Sequence, residues 1–187
     1  MQALGSKPDY LLSYSPFSNN DSHIRNYLKD TPYILLDQGG KHPHYVDVVG
    51  ATCPCAGLSS LSPSANSSAS VNDWLTTTAK YVLEEMKPKV FWGENAPRFA
   101  GEMGKPIVDK LMDIARPAGY TMSIYRTKSL LHGLSQVRER SFYFFWKGDT
   151  VPVFKWYDTP HTPIETLIRN IPAGLTQTEV TNSRIPS

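Results

Sequence analysis

At 187 residues, with 40% hydrophobic and 11% aromatic content, the chain suits one globular domain with a real core and is not disordered overall. A formal net charge of +2 is too small for bulk electrostatics to announce a nucleic-acid binder, so any such role must rest on a local cluster. The N-terminus lacks a basic-then-apolar pattern and no apolar run approaches ~18 residues, so neither a secretory nor a membrane-spanning segment is expected, and the predicted location is cytoplasmic. Cys53 and Cys55, the two cysteines, sit too close for an ordinary bridge and are expected as reduced thiols.

In chain order, "YILLDQ" reads as a strand, but Gly39-Gly40 behind it leads into "KHPH" with no helix following. "YVDVVGA" (45–51) is β-branched and apolar, ended by Thr52 and Pro54, as a buried strand would be. "SPSANSSAS" (62–70) is a small, polar, low-complexity loop. From Val71 the residues Trp74, Leu75, Ala79, Val82, Leu83 and Met86 follow helical spacing, with Ser70 the expected N-cap and Lys87-Pro88 the stop. "KVFWGEN" (89–95) predicts another buried strand. A helix follows whose inner face is Ile107, Val108, Leu111, Met112 and Ala115, with Pro106 near its first turn. "YTMSIYR" (120–126) and "SFYFFWKG" (141–148) add two strands, separated by "TKSLLHGLSQVRER". After Gly148 the text turns Pro-rich and polar. This alternation predicts an α/β fold with a mainly parallel sheet and helices on its faces.

In such folds ligands collect outside the carboxyl ends of strands. Three segments fall there: Cys55 after the strand ending near Ala51, "GENAPR" (93–98), and the loop carrying Gln136, Arg138 and Arg140. Each has a bland competitor. A buried free cysteine is usually inert packing. Glu94-Asn95, taken alone, reads as a strand-end cap, since Asn and Asp favour such turns. Arg138 and Arg140 read as a solvated pair flanking Glu139. His42, His44, Cys53 and Cys55 form an H-x-H…C-x-C set, but C-x-C is tighter than the usual zinc spacing, so no metal is expected.

"PCAGLSSL", "KPKVFWGENAPRFA" and "LHGLSQVRERSFYFFW", in that order, resemble the Pro-Cys, Glu-Asn and Gln-x-Arg-x-Arg motifs of the DNA (cytosine-5) methyltransferases, over roughly residues 33–148. The resemblance implies a Rossmann-like methyltransferase fold and transfer of a methyl group from S-adenosylmethionine to carbon 5 of cytosine. Carbon 5 is a poor nucleophile, so the family adds a thiolate to carbon 6 to activate it. Cys55 takes that place. Glu94 is matched to the carboxyl group that meets ring nitrogen 3, and would have to carry its proton there as charge develops. Arg140 is matched to the arginine that contacts the target base, while Arg138 and Gln136 organise the loop or hold phosphate. Asp37, Pro54 and Leu75 match cofactor-lining positions. Ser59, in the segment that closes over DNA in the family, joins Asn95 and Gln136 as expected DNA contacts. The implied partner is DNA with a flipped target cytosine.

The chain departs from the family pattern at Ala56, where glutamine is usual, and in having no strand, Gly-rich loop and helix readable before Cys55. The family's target-recognition domain is also missing beyond residue 148. The expected organisation is therefore a segment 1–32, an incomplete catalytic core 33–150 and a polar extension 151–187. A split or truncated enzyme of phage type, in a bacterial or infected cell, fits this pattern, with a second chain supplying the cofactor loop and target-recognition domain. The alternatives are an inactive homologue that binds DNA or a partner, and a tRNA cytosine methyltransferase.

Overall fold

The computed structural model describes residues 9–13, 33–35, 41–42, 45–55, 57–59, 65–68, 70–154 and 159–170. Asp37, His44, Ala56 and most of the serine-rich loop lie outside them. The chain divides into two compact units, Met1–Tyr125 with Ser141–Val151, and Arg126–Arg140 with Pro152–Ser187.

The first unit holds a parallel pair, β1 (Leu11–Ser13) and β2 (Tyr33–Leu35), in the register Leu11 to Tyr33. β2 falls within the predicted "YILLDQ" strand. β1 was not legible in the sequence, because three residues are too few to show an alternation. A four-stranded sheet follows, in the order β3 (Val48–Ala51), β4 (Val90–Asn95), β6 (Glu139–Lys147), β5 (Tyr120–Lys128). β3 and β4 are parallel and joined through a helix, α1 (Asp73–Tyr81). A second helix, α2 (Lys105–Ala115), leads from β4 to β5.

The expected parallel arrangement holds for β1–β2 and β3–β4, but β6 runs antiparallel to β4. β5 and β6 also oppose one another: Gly148 N–H donates to Gly119 O at one end, and Ser129 N–H to Arg138 O at the other. Connection length explains it. Only residues 129–138 join β5 to β6, too few for the helical crossover that a parallel return needs.

α1 forms where the periodicity predicts it. Leu75, Ala79, Val82, Leu83 and Met86 are all buried, the four larger side chains contributing about 1.5–3 kcal/mol each. Its start differs from expectation. A single tight turn occupies Ser70–Asn72, the helix begins at Asp73, and Asn72 rather than Ser70 stands at the N-cap. At the other end the helix widens over Val82–Met86, and Lys87 N–H reaches Val82 O at 2.9 Å. Lys87 then turns left-handed, with φ 51°, closing the helix, and Pro88 behind it cannot continue it.

β4 and β6 alternate cleanly. Phe91, Gly93 and Asn95 of β4 and Ser141, Tyr143 and Phe145 of β6 point into the core, where the rings of Phe91 and Phe145 stack with centroids 5.4 Å apart. Ile107, Leu111 and Ala115 of α2 cover them. Trp92, Glu94, Phe144 and Trp146 lie on the opposite, half-buried face. No helix among the described residues is long and apolar enough to cross a membrane.

In the second unit, the described residues build a loop closed on itself. Ser129 Oγ donates to Gln136 O and accepts the N–H of Arg138 at 2.9 Å. Ser135 Oγ donates to Thr162 O, and a short helix, α3 (Ile164–Arg169), follows Pro163. α3 was not legible in its Pro-rich surroundings.

Candidate active site

The ends of β3 and β4 lie side by side, Ala51 in register with Gly93. Past Ala51 the chain leaves the sheet and turns, Leu58 N–H donating to Cys55 O at 2.9 Å. Gly57 and Leu58 are buried and Cys55 is half-buried. The two cysteines, both free thiols, differ in what they touch. Cys53 Sγ lies 3.6 Å from Thr78 Oγ1 and 3.7 Å from Trp74 O, both on α1, and burial pushes its thiol up from the ordinary range. The Cys55 thiol makes no hydrogen bond among the described residues.

Glu94 follows Gly93 on β4, on the half-buried face. Beneath it the Tyr143 ring, 1% exposed, packs against Phe99 with centroids 5.2 Å apart. Its hydroxyl meets Cys53, and burial, with the Cys53 thiol and Glu94 carboxyl adding to it, holds its pKa well above the usual phenol range. Asn95 is fully buried, and its Oδ1 accepts the N–H of Ala96 at 2.8 Å, shaping the end of the strand. Ser141 Oγ donates to Pro97 O at 3.3 Å and ties the same turn to β6.

Gln136, Arg138 and Arg140 belong to the second unit, where Gln136 and Arg138 are exposed and Arg140 is half-buried. Arg140 Nη1 donates to Glu139 O at 2.7 Å. The Glu139 carboxylate bridges Arg126 and Lys128, the latter at 3.0 Å, and these cations hold it below the usual carboxylate range. Charge on this loop is thus partly spoken for, while the Arg138 guanidinium stays at the surface.

Of the residues expected at a cofactor, Pro54 is exposed next to Cys55, Leu75 is 1% exposed within the core, and Asp37 lies outside the described residues. Pro54 is the one described member open to a ligand, so the described members of this set do not form a complete site for S-adenosylmethionine. Ser59 is half-buried just past the Cys55 turn. No group of histidine, cysteine and carboxylate side chains suited to a metal ion occurs among the described residues. Sequence reasoning missed Asn72 and Tyr143, which touch the Cys55 segment only through contacts distant in the chain.

A mixed α/β sheet with a cysteine after one strand and a Glu-Asn pair ending its parallel neighbour places the chain in the methyltransferase class of fold. The sequence profile of the C-5 cytosine-specific DNA methylases matches residues 23–184, and the chain belongs to that family. Solved structures are similar at low identity. The Entamoeba histolytica methyltransferase EhMeth is 12% identical with a TM-score of 0.53, over 82% of this chain and 49% of that one. A mutant of Spodoptera frugiperda DNMT2 is 12% identical with a TM-score of 0.51, over 86% and 49%. A protein described as a DNA modification methyltransferase encoded within an E. coli prophage is 22% identical with a TM-score of 0.45, over 68% and 31%. The chain therefore spans about a third to a half of the length of these structures. No curated protein matches the chain.

Proposed function

We propose that the chain carries the catalytic half of a DNA cytosine-5 methyltransferase, with Cys55 as the nucleophile. The observation that supports this most is the placement of Cys55 just past β3 and of Glu94 near the end of its parallel neighbour β4, with the Cys55 thiol making no hydrogen bond among the described residues while Cys53 is bonded to α1. The Cys55 thiolate adds to carbon 6 of a flipped cytosine, forming an S–C bond and displacing the 5,6 π electrons toward carbon 5. Glu94 donates its proton at ring nitrogen 3, so no charge accumulates on the ring. The family's donor, S-adenosylmethionine, supplies an electrophilic methyl group. Loss of the carbon-5 proton to solvent water then expels the thiolate and restores the 5,6 double bond, and ring nitrogen 3 returns its proton to Glu94. Arg140 contacts the base, Arg138 and Gln136 hold phosphate or order their loop, Ser59 faces the DNA, and Asn95 serves them through the turn it shapes.

Pro54 forms one wall for the donor, with Asp37 on the adenine and Leu75 behind it. Because the chain spans only part of its structural relatives, the rest of the cofactor site and the target-recognition domain come from a further segment or a second chain, an arrangement suited to a phage or restriction–modification setting.

DNA with 5-fluorocytosine at the target tests the reading, since fluorine at carbon 5 cannot leave as a proton does and the adduct persists. Wild type and Cys53→Ser, supplied with donor and any completing segment, are expected to trap the DNA, and Cys55→Ser is not. Trapping by Cys55→Ser but not Cys53→Ser overturns the assignment, and trapping of tRNA in place of DNA moves it to the RNA substrate.

A further inference from the structure

Asn72 occupies the N-cap of α1 but does not cap it: its side chain makes no bond to the helix N–H groups. Its backbone is already helical, continuing the tight turn Ser70–Asn72, so the side chain is not spent on the helix end. The side chain is instead turned inward and is 4% exposed. Its Nδ2 donates to Asn66 O at 3.0 Å and Ser67 O at 3.2 Å. Its Oδ1 is buried with no hydrogen-bond partner among the described residues. That oxygen faces Gly57: a Cβ there would come within 2.3 Å of it. The cost of an orphaned buried acceptor needs a compensating role.

The position of Gly57 supplies one. It stands two residues after Cys55, inside the turn closed by Leu58 N–H on Cys55 O. Cys53 stands two residues before, its thiol against Thr78 Oγ1 and Trp74 O. Helix α1 thus grips both shoulders of the Cys55 turn, through Thr78 on one side and Asn72 on the other. We infer that Asn72, with Thr78, is a positioning residue for Cys55: the amide packed on Gly57 and the Cys53 thiol on Thr78 fix the turn that aims the nucleophile. The inference rests on the assignment of Cys55 proposed above, and Asn72 itself touches no reacting atom. Asn72 is suited to the task because its flat amide lies against a glycine Cα while its other end binds the carbonyls of residues 66 and 67. An alanine at 57 would collide with it.

The test uses two readouts on the full chain, Cys55 alkylation by iodoacetamide and trapping of 5-fluorocytosine DNA. Releasing the turn exposes the thiol but misaims it, so Asn72→Ala is expected to alkylate Cys55 several-fold faster and to trap DNA about tenfold or more slowly, as misplacement by ångströms costs in other enzymes. Gly57→Ala should show the same pair of opposite changes. The double variant should trap faster than Gly57→Ala alone, because removing the amide relieves the collision. Thr78→Val, which keeps volume and loses the hydroxyl, reads the other shoulder if either variant fails to fold. Lys80→Ala, exposed on α1, should change neither rate. Folded Asn72→Ala and Thr78→Val with wild-type alkylation rates and pH profiles, whatever their thermal stability, overturn the inference. Absence of trapping in wild type sinks the methyltransferase reading instead, while alkylation still decides whether α1 holds the Cys55 turn.

Discussion

Gly93 of β4 lies against the Tyr143 ring of β6, its register partner: a Cβ at 93 would come within 2.2 Å of both Cζ and Oη. The same Cβ would meet Ala51 O of β3 at 2.7 Å. Gly93 therefore lets three strands approach just before Glu94. Gly93→Ala should cost about 3 kcal/mol, the upper end of overpacking effects, and lower Tm by roughly 10 °C. Tyr143→Phe should not rescue it, because Cζ remains as close as the lost hydroxyl. Calorimetry of the single and double variants checks this, and a stable Gly93→Ala would show that the strands can part there.

Glu94→Gln keeps the shape of the side chain and loses the transferable proton. The fold should persist with Tm within a few degrees, while turnover falls by about 100-fold or more, the usual worth of a positioned acid. A wild-type rate of methyl transfer would remove Glu94 from the chemistry, and a collapse of Tm would make it a structural strand-end residue.

Burial raises the Cys53 thiol in the folded chain. An unfolded thiol ionises near pH 8.5 while the native one still holds its proton, so the unfolded state binds fewer protons in that window. Stability should thus be fully present below about pH 8.5 and decline as the pH rises toward the native value. Cys53→Ala should flatten this alkaline decline in urea titrations. In the native protein, Cys53 should alkylate more slowly than Cys55 at every pH.

Glu139 shows the opposite sign. Arg126 and Lys128 lower its carboxyl, so the native state favours the charged form, and the contribution is present above the ordinary carboxylate range and lost as the pH falls through the native value. Protection factors at the joined ends of β5 and β6, taken after dividing out the intrinsic pH dependence of amide exchange, should fall in acid. Glu139→Gln should show lower protection already at neutral pH and lose that acid dependence.

Much was settled by sequence alone, because it is local. The apolar spacing from Leu75 to Met86 needs a helix to bury one stripe, and Lys87-Pro88 must end it. The β-branched and apolar stretches 48–51 and 90–95 read as strands, and the Pro-Cys, Glu-Asn and Gln-x-Arg-x-Arg order carried the family. Only 90–95 is an inner strand: β3 stands at the sheet edge with Val48 56% exposed, where a buried strand was expected. What the tertiary structure decided depends on contacts far apart in the chain. The ten-residue connection turned β6 against β4, making the sheet less parallel than the alternation of elements suggested. Cys53 and Cys55 would share a face if the strand continued, yet the chain leaves the sheet after Ala51, and packing against α1 and Tyr143 separates the bonded Cys53 thiol from that of Cys55, which has no hydrogen bond among the described residues. Asn72, a capping residue by type, turned inward for the same reason: the glycine it fills lies fifteen residues earlier, where no local pattern reaches.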